Sequence, residues 1–556
     1  MTAGAVGRGG AAGAEGASST VHVIGASALG TVFEWYDFFL YGALASDIAA
    51  HFFSGVGEAT GFLFALATFA VGFIVRPVGA LLFGRIGDLA GRKNTFLVTL
   101  ALMGLSTFLV GALPGYDAIG IAAPLSLVAL RLVQGLAIGG EYGGAIIFVA
   151  EHAPTERRGL FTSWIPATAV TGLLLSLAVI MATRLAMPSQ AFAEWGWRLP
   201  FLVSLVLLAI SLWIRMRLHE SPVFRQMKAE QRLSRSPLSE AFLEWRNGRG
   251  VLIAIFGAVI GQAVTFYTAT FYPLFFLERI ARVDPAIGTM LVGVALVIAI
   301  PLVLAAGWLC DRIGRKPVLL MGVALASLLY FPAFGALLSA ANPALAEAMR
   351  TSPVVAEVAR EDCTLQFDLV GRKRFDRTSC DVVKSFLARA GIGHSTEPLA
   401  GPGPARLRIG DRLIAAPDGP VLAGTDATPA VARFGTLAKT ALAEAGYPTS
   451  ADPARIARAR VVAILVGLLA ALALCSGAYG ALLVELFPAR FRYSAVSVAQ
   501  NVGNGWFGGL LPAIAFAIVA ATGNVFAGLW YPVGVCVVCF LVALAAVPET
   551  RGRPIH

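Results

Sequence analysis

Apolar residues fall along this chain in runs of roughly 18 to 28, separated by short polar joints, and a run of that length crosses a hydrocarbon core of about 30 Å as a helix. About twelve such runs are present, each able to satisfy its own backbone polar groups in lipid. They lie at 23–46, 60–83, 96–114, 121–150, 161–184, 199–215, 251–277, 287–307, 317–338, 460–484, 494–521 and 525–547. The pattern predicts an all-α membrane protein with twelve transmembrane helices in two pseudo-symmetric six-helix bundles, 23–215 and 250–338 with 459–548. A charged stretch at 216–249 joins the halves, and its scattered apolar residues predict surface helices lying on the membrane face.

Composition agrees: hydrophobic residues make up 57% of the chain and charged ones 14%, which excludes an ordinary soluble domain. The net charge of +10 would suit nucleic acid, but the basic residues sit in the joints after even-numbered runs. Arg157, Arg158, Arg490 and Arg492 are examples, and the joints after runs one, three and eleven carry no Lys or Arg. That asymmetry is topology, with both termini cytoplasmic and no nucleic-acid partner expected. Residues 1–22 are Gly/Ala-rich, lack a signal-peptide start, and are expected to form a disordered cytoplasmic tail; 549–556 is expected to be a second tail.

One segment breaks the pattern. Residues 339–458 form a polar insert between runs nine and ten, on the periplasmic side by the same topology. Strand-like text (Cys363 to Val370, Ala405 to Ile409) alternates there with helix-like text (Asp381 to Ala390, Ala430 to Ala445), predicting a small α+β domain. Cys363 and Cys380 are the two cysteines within it, and an oxidising compartment favours their disulfide. Cys536 and Cys539 have C-x-x-C spacing but no partner pair, so no metal site is expected.

Across the central joint, Gly84-Arg85-Ile86-Gly87-Asp88-Leu89-Ala90-Gly91-Arg92-Lys93 returns as Gly307-Trp308-Leu309-Cys310-Asp311-Arg312-Ile313-Gly314-Arg315-Lys316. Both follow the second run of a half, which marks an internal repeat. Gly84 and Gly307 permit close helix approach, Gly91 and Gly314 a tight reversal, and Asp88 and Asp311 can hold an Arg or a helix N-terminus. These residues, with Arg92, Lys93, Arg312, Arg315 and Lys316, are the candidate gate.

Charge inside the membrane costs at least about 2.5 kcal/mol per residue at mid-depth, so each case is a functional candidate. Glu34 and Asp37 lie near the middle of run one and Arg131 near the middle of run four, so the three are expected to converge. Two acids beside one Arg leave a carboxylate to take a proton and a guanidinium for an anion. Tyr41 shares the face of Glu34 and Asp37, and Gln134 that of Arg131. Arg76 and Glu141 are expected to form a buried pair. The second half offers neutral hydrogen-bonding groups for substrate: Gln262, Tyr267, Gln500, Asn501 and Asn504.

The duplicated loop, with Arg131-Leu132-Val133-Gln134-Gly135 and Gly139, resembles the major facilitator superfamily. Several stretches are similar to its metabolite:proton symporter family: Phe33 to Tyr41, Arg76-Pro77-Val78-Gly79, Gly139 to Tyr142, Trp197 to Phe201, Glu220-Ser221-Pro222 and Glu485 to Tyr493. The resemblance implies alternating access driven by proton entry, with Asp37 and Glu34 as proton carriers and Arg131 as anchor. Members similar in these motifs import proline, betaine, 2-oxoglutarate, citrate or shikimate; the insert is a departure from the compact members.

The expectation is therefore proton-coupled uptake of a small carboxylated or zwitterionic metabolite by a monomer in the cell's inner membrane, with the proton as coupling ion and no other cofactor. A facilitator or exporter of the same fold is one rival, and a receptor recognising ligand through 339–458 is another. An enzyme is not expected, since neither a phosphate loop of the G-x-x-x-x-G-K-[ST] kind, nor H-E-x-x-H, nor G-x-S-x-G occurs.

Overall fold

The structure, a computed structural model, describes residues 30–56, 58–90, 92–140, 142–216, 244–359, 363, 378–422, 427–488 and 491–554. Among them, ten helices are long and apolar enough to cross a membrane, and a shorter apolar helix covers Leu97–Ala112. In chain order the first half has α1 (30–43, continued by Ala45–Phe52), α2 (Thr60–Phe83), α3 (Leu97–Ala112), α4 (Ala122–Glu151), α5 (Thr155–Ala186) and α6 (Gly196–Trp213). The second has α7 (Trp245–Ile280), α8 (Pro285–Ile313), α9 (Arg315–Ala341), α10 (Arg458–Leu486), α11 (Arg492–Thr522) and α12 (Ala527–Ala546). The terminal tail 1–22 lies outside the described residues, as do residues 217–243 of the stretch 216–249 expected to form surface helices; 245–249 instead open α7.

Local chemistry sets several boundaries. Asp284 caps α8, accepting from the backbone N–H groups of Ala286 and Ile287, with Pro285 at the first helical position. Gly314 ends α8 at φ +108°, a conformation that suits glycine. Helix α7 carries π-helical turns at Ile255–Val259 and Phe276–Ile280, and α11 carries one at Gly503–Gly509 that faces α2 of the other half. Single π turns widen a helix locally and are frequent at functional sites.

The halves meet along aromatic and glycine contacts. Phe39 on α1 packs on Phe266 and Phe271 of α7 with ring centroids 5.4 and 5.2 Å apart, and Phe73 on α2 meets Tyr267 edge to face at 5.3 Å. Gly509 in the π turn of α11 takes the ring of Phe73, which a Cβ there would approach to 2.0 Å.

The insert runs from 342 to 457, because α9 continues to Ala341 and α10 begins at Arg458. Its sheet comprises β1 (Val354–Val358), β2 (Ser395–Pro398), β3 (Arg406–Ile409) and β4 (Arg412–Ala415) in the order β2-β1-β3-β4. β1 and β2 run parallel and are connected through the helix Ser379–Ala390, whereas β3 and β4 form an antiparallel hairpin turning at Gly410, φ +56°. The text expected to form a strand at Cys363 to Val370 lies, apart from Cys363, outside the described residues; of the two inner strands, β3 matches the expected Ala405 to Ile409 and β1 is one the sequence pattern did not single out. Cys363 and Cys380 are joined, with Cα atoms 5.2 Å apart. The insert sits on the second half: Arg282 donates to the carbonyls of Pro448 and Ala390, and the His394 N–H to that of Gly523.

Candidate functional site

The centre of the molecule is built where α2 and α4 touch. A Cβ on Gly135 would lie 1.9 Å from the carbonyl oxygen of Gly72, and one on Gly139 2.2 Å from that of Arg76, so the two backbones are in contact. That approach tucks Arg131 beneath α2 with no exposure to solvent. Its Nη1 donates to Gln134 Oε1 at 2.6 Å, and Gln134 Nε2 donates in turn to Thr107 on α3 at 2.8 Å. The guanidinium lies 4.7 Å from the Phe38 ring centroid and 4.6 Å from that of Tyr41. Arg76 approaches Phe38 too, at 4.2 Å, and Phe73 at 4.4 Å. Among the described residues, Arg131 Nε and Arg76 Nε and Nη2 are buried without hydrogen-bond partners. Cations over aromatic faces gain about 1 to 2 kcal/mol, which does not replace the hydrogen bonds a buried guanidinium needs.

The expected convergence of Glu34, Asp37 and Arg131 takes a different form. Asp37 is buried with Oδ1 unpartnered among the described residues, and the side chain facing it is Ser204 on α6 rather than Arg131. The reason is helical geometry: Asp37 is one residue, about 100°, around α1 from Phe38, the residue that meets Arg131. Glu34 is buried one turn before Phe38 on the same helix. Glu141, the partner expected for Arg76, lies outside the described residues.

The neutral groups of the second half form a chain. Asn504 Nδ2 donates to Gln262 Oε1 and to the Gln500 carbonyl, Gln262 Nε2 donates to Ser476, and Gln500 Oε1 is buried without a partner among the described residues. Asn501 turns away and donates to the Gly139 carbonyl, joining α11 to α4. Tyr267 stacks on Phe271 and meets Phe73. The Tyr142 and Tyr479 hydroxyls share a 2.6 Å hydrogen bond that also links the halves.

At the end bearing the repeated loop, buried charges close the seam. Arg158 of the first half lies 2.8 Å from Glu485 of the second, and Arg315 lies 3.1 Å from the same carboxylate and 3.1 Å from Asp311. Asp311 accepts from the N–H groups of Gly159 and Leu160, both at 2.8 Å. Arg492 pairs with Glu151 at 3.2 Å. Gly307 faces Ser163 so closely that a Cβ would stand 2.4 Å from its hydroxyl.

Two residues of the candidate gate act elsewhere: Arg312 stacks on Trp308 at 4.0 Å and Lys316 donates to the Leu544 carbonyl, both within the second half. The first copy places Asp88 within the helix Arg76–Ala90 and Arg92 at the start of Arg92–Ala112; its side chains and Gly91 lie outside the described set. The stretch 549–556, expected to be a tail, adds to the closure. Thr550 donates to Glu485, and Glu549 accepts from the backbone N–H groups of Arg315 and Lys316. Burial pushes the Glu549 carboxyl up, but those N–H bonds, with others from Thr550 and Arg551, outweigh it and leave it below the ordinary value. Arg158, Glu151 and Arg492 were the residues missed, because a charge in a joint reads first as topology.

At the insert end, Phe62 of α2 meets Phe275 of α7 and Phe516 of α11 at 5.8 and 5.7 Å, with Arg279 over Phe62. The halves are thus in contact at both ends, an occluded arrangement.

Similarity to known proteins follows this geometry. The profile described as "Sugar (and other) transporter" matches residues 23–247 and 435–556, and that described as "MFS/sugar transport protein" matches 145–351. The chain is 37% identical over 319 residues to the glycine betaine/proline/ectoine/pipecolic acid transporter of Dickeya dadantii, covering 56% of this chain and 63% of that one. The shikimate transporter of Escherichia coli is 37% identical over 314 residues, 55% of this chain and 70% of that one. The alpha-ketoglutarate permease of the same species is 34% identical over 321 residues, 58% and 72%. The chain thus spans less than two thirds of the length of the Dickeya relative. Among solved structures, the major facilitator proton:xylose symporter XylE shares the fold, with a TM-score of 0.61 at 15% identity over 97% of this chain and 98% of that one.

Proposed function

Because the chain belongs to the sugar (and other) transporter family of the major facilitator superfamily, we propose that it takes up a small carboxylated or zwitterionic metabolite by proton-coupled symport with alternating access. The observation that carries this reading is the pair of buried guanidiniums, Arg76 and Arg131, with unengaged N–H groups on either side of Phe38. Buried cationic donors without partners are costly, and a substrate carboxylate satisfies them. The Gln262–Asn504–Gln500 chain supports hydrogen bonding at the substrate's other end, and the surrounding rings suit an apolar or cationic body. Transporters of betaine and proline, of shikimate and of alpha-ketoglutarate among the relatives have substrates that share a carboxylate.

The topology that goes with this reading has twelve spans, α1 and α3 completing the ten apolar helices. The basic loop end and both termini are cytoplasmic and the insert periplasmic, in the inner membrane, with the monomer as transport unit. Asp37, with an unpartnered buried oxygen, and Glu34 carry the proton. The Arg158–Glu485–Arg315–Asp311 network is the inner gate and Phe62 with Phe275 and Phe516 the outer one. A thermal-shift screen of purified protein against organic acids, amino acids and betaines tests the substrate class. Stabilisation by a carboxylate-bearing compound, lost in Arg131→Gln, is the expected result; stabilisation only by uncharged sugars would overturn it.

A further inference from the structure

The outer end of the seam holds a second set of charges. A small cavity there is lined by Ala43 and Asp47 of α1, Ile180 and Arg184 of α5, Leu274 and Glu278 of α7, and Gly288 and Thr289 of α8, so both halves contribute walls. Arg184 Nη2 pairs with Asp47 Oδ2 at 3.2 Å within the first half, and its guanidinium also lies 4.0 Å over Phe192. Glu278, from the other half, is 3.9 Å from its own neighbour Arg279 and is not within ion-pair distance of Arg184. The charge facing Asp47 across the seam is therefore a like charge. The other charged or titratable groups here are His51, one turn on from Asp47, and Asp284, which caps α8. The His51 Nε2 accepts from the Trp197 indole. Side chains of Asp47 and Glu278 keep 17% and 23% exposure, so protons from outside reach them.

We propose that Asp47 and Glu278 are a proton-dependent latch of the outer gate: with both ionised, their repulsion resists closure, and one proton from outside releases that resistance. The proposal deepens the symport reading by adding a site distinct from Asp37. Its consequence is that an outward-open, unprotonated carrier does not occlude readily, which suppresses closure without the coupling ion. Arg184 holds Asp47 in place and, being occupied, does not neutralise Glu278.

Accessibility of Thr289→Cys to a membrane-impermeant maleimide, without substrate, tests this directly. The four free thiols, Cys310, Cys475, Cys536 and Cys539, are buried, so the label is read over a low parental background. Labelling, normalised at each pH to that of an exposed reference cysteine so that the thiol's own ionisation cancels, is expected to fall about fivefold between roughly pH 8 and pH 5, the shift one like-charge contact of surface strength carries. Glu278→Gln is expected to give low labelling at every pH, and Glu278→Asp, which keeps the charge, to restore the pH dependence. Asp47→Asn provides the second variant and is expected to match Glu278→Gln. Parental pH dependence surviving in both neutral variants would overturn the proposal. The readout needs no transport, so a failed symport reading and a failed latch give different results.

Discussion

Arg158 and Glu485, 327 residues apart in sequence, meet at 2.8 Å with almost no exposure to solvent and tie the two halves of the bundle together. The same carboxylate holds Arg315 and accepts from Thr550, so one acid from α10 gathers α5, α9 and the chain's C-terminal segment. A gate of this kind is strong only while complete.

Glu485→Gln removes the anion and leaves Arg158 and Arg315 as neighbouring buried cations. Breaking a buried network in this way costs about 3 to 5 kcal/mol. The expected outcomes are a lowered unfolding temperature in detergent and faster amide exchange in Gly159 and Leu160, whose N–H groups border the network.

Gly314→Ala places a Cβ at φ +108° and 2.5 Å from Glu549 Oε2. A left-handed or otherwise positive φ costs a non-glycine residue about 1 to 2 kcal/mol before any clash is counted. Weakened docking of 549–553 is expected, read as faster proteolysis of the C-terminal segment with the bundle intact.

Arg131→Lys keeps the charge but loses the planar fork that holds Gln134 and the Phe69 carbonyl together. An increase of at least about tenfold in transport KM is expected, equivalent to about 1.4 kcal/mol. The Gln134→Glu variant is expected to be worse, because a fixed internal carboxylate satisfies the guanidinium that substrate should engage.

The insert's seat responds to acid. Burial, with Lys384 adding to it, holds the His394 imidazole below its usual value of 6.5 against the opposing bond to the Ile392 carbonyl. The neutral form is thus the docked one. Its contribution is fully present above about pH 6.5 and is lost as pH falls below that value toward the depressed folded-state pKa. The protection factor at the Gly523 turn, from which the intrinsic pH dependence of amide exchange is removed, is expected to fall between about pH 7 and pH 5 in the parent protein and to lose that dependence in His394→Gln.

Much of the bundle was legible because lipid imposes a length and a polarity on every crossing segment. The repeated loop was legible through two aligned copies, of which the second supplies Asp311 and Arg315 to the seam. The pairing of charges was not. Arg158 and Arg492 follow apolar runs as topology-setting residues do, and nothing in their spacing names Glu485 or Glu151 as partners. Asp37 and Phe38 are adjacent in sequence yet face α6 and Arg131 respectively, a difference of one helical step that depth counting ignores. Asp47, Arg184 and Glu278 sit at the ends of runs, where charge has little apparent cost. In the insert, β1 is five residues long and carries Glu357, which pairs with Arg408 of β3, so its apolar pattern alone was weak.

Uptake by the purified protein in proteoliposomes, with an inward proton gradient imposed and then collapsed by a protonophore, tests the central claim most directly. The account predicts that a carboxylated or zwitterionic substrate found by the binding screen accumulates above its outside concentration only while the gradient lasts, with acidification of the interior quickened by its entry. It further predicts that Asp37→Asn retains downhill exchange but loses accumulation. Undiminished accumulation after the gradient is collapsed, or accumulation by Asp37→Asn equal to the parent's, would contradict it.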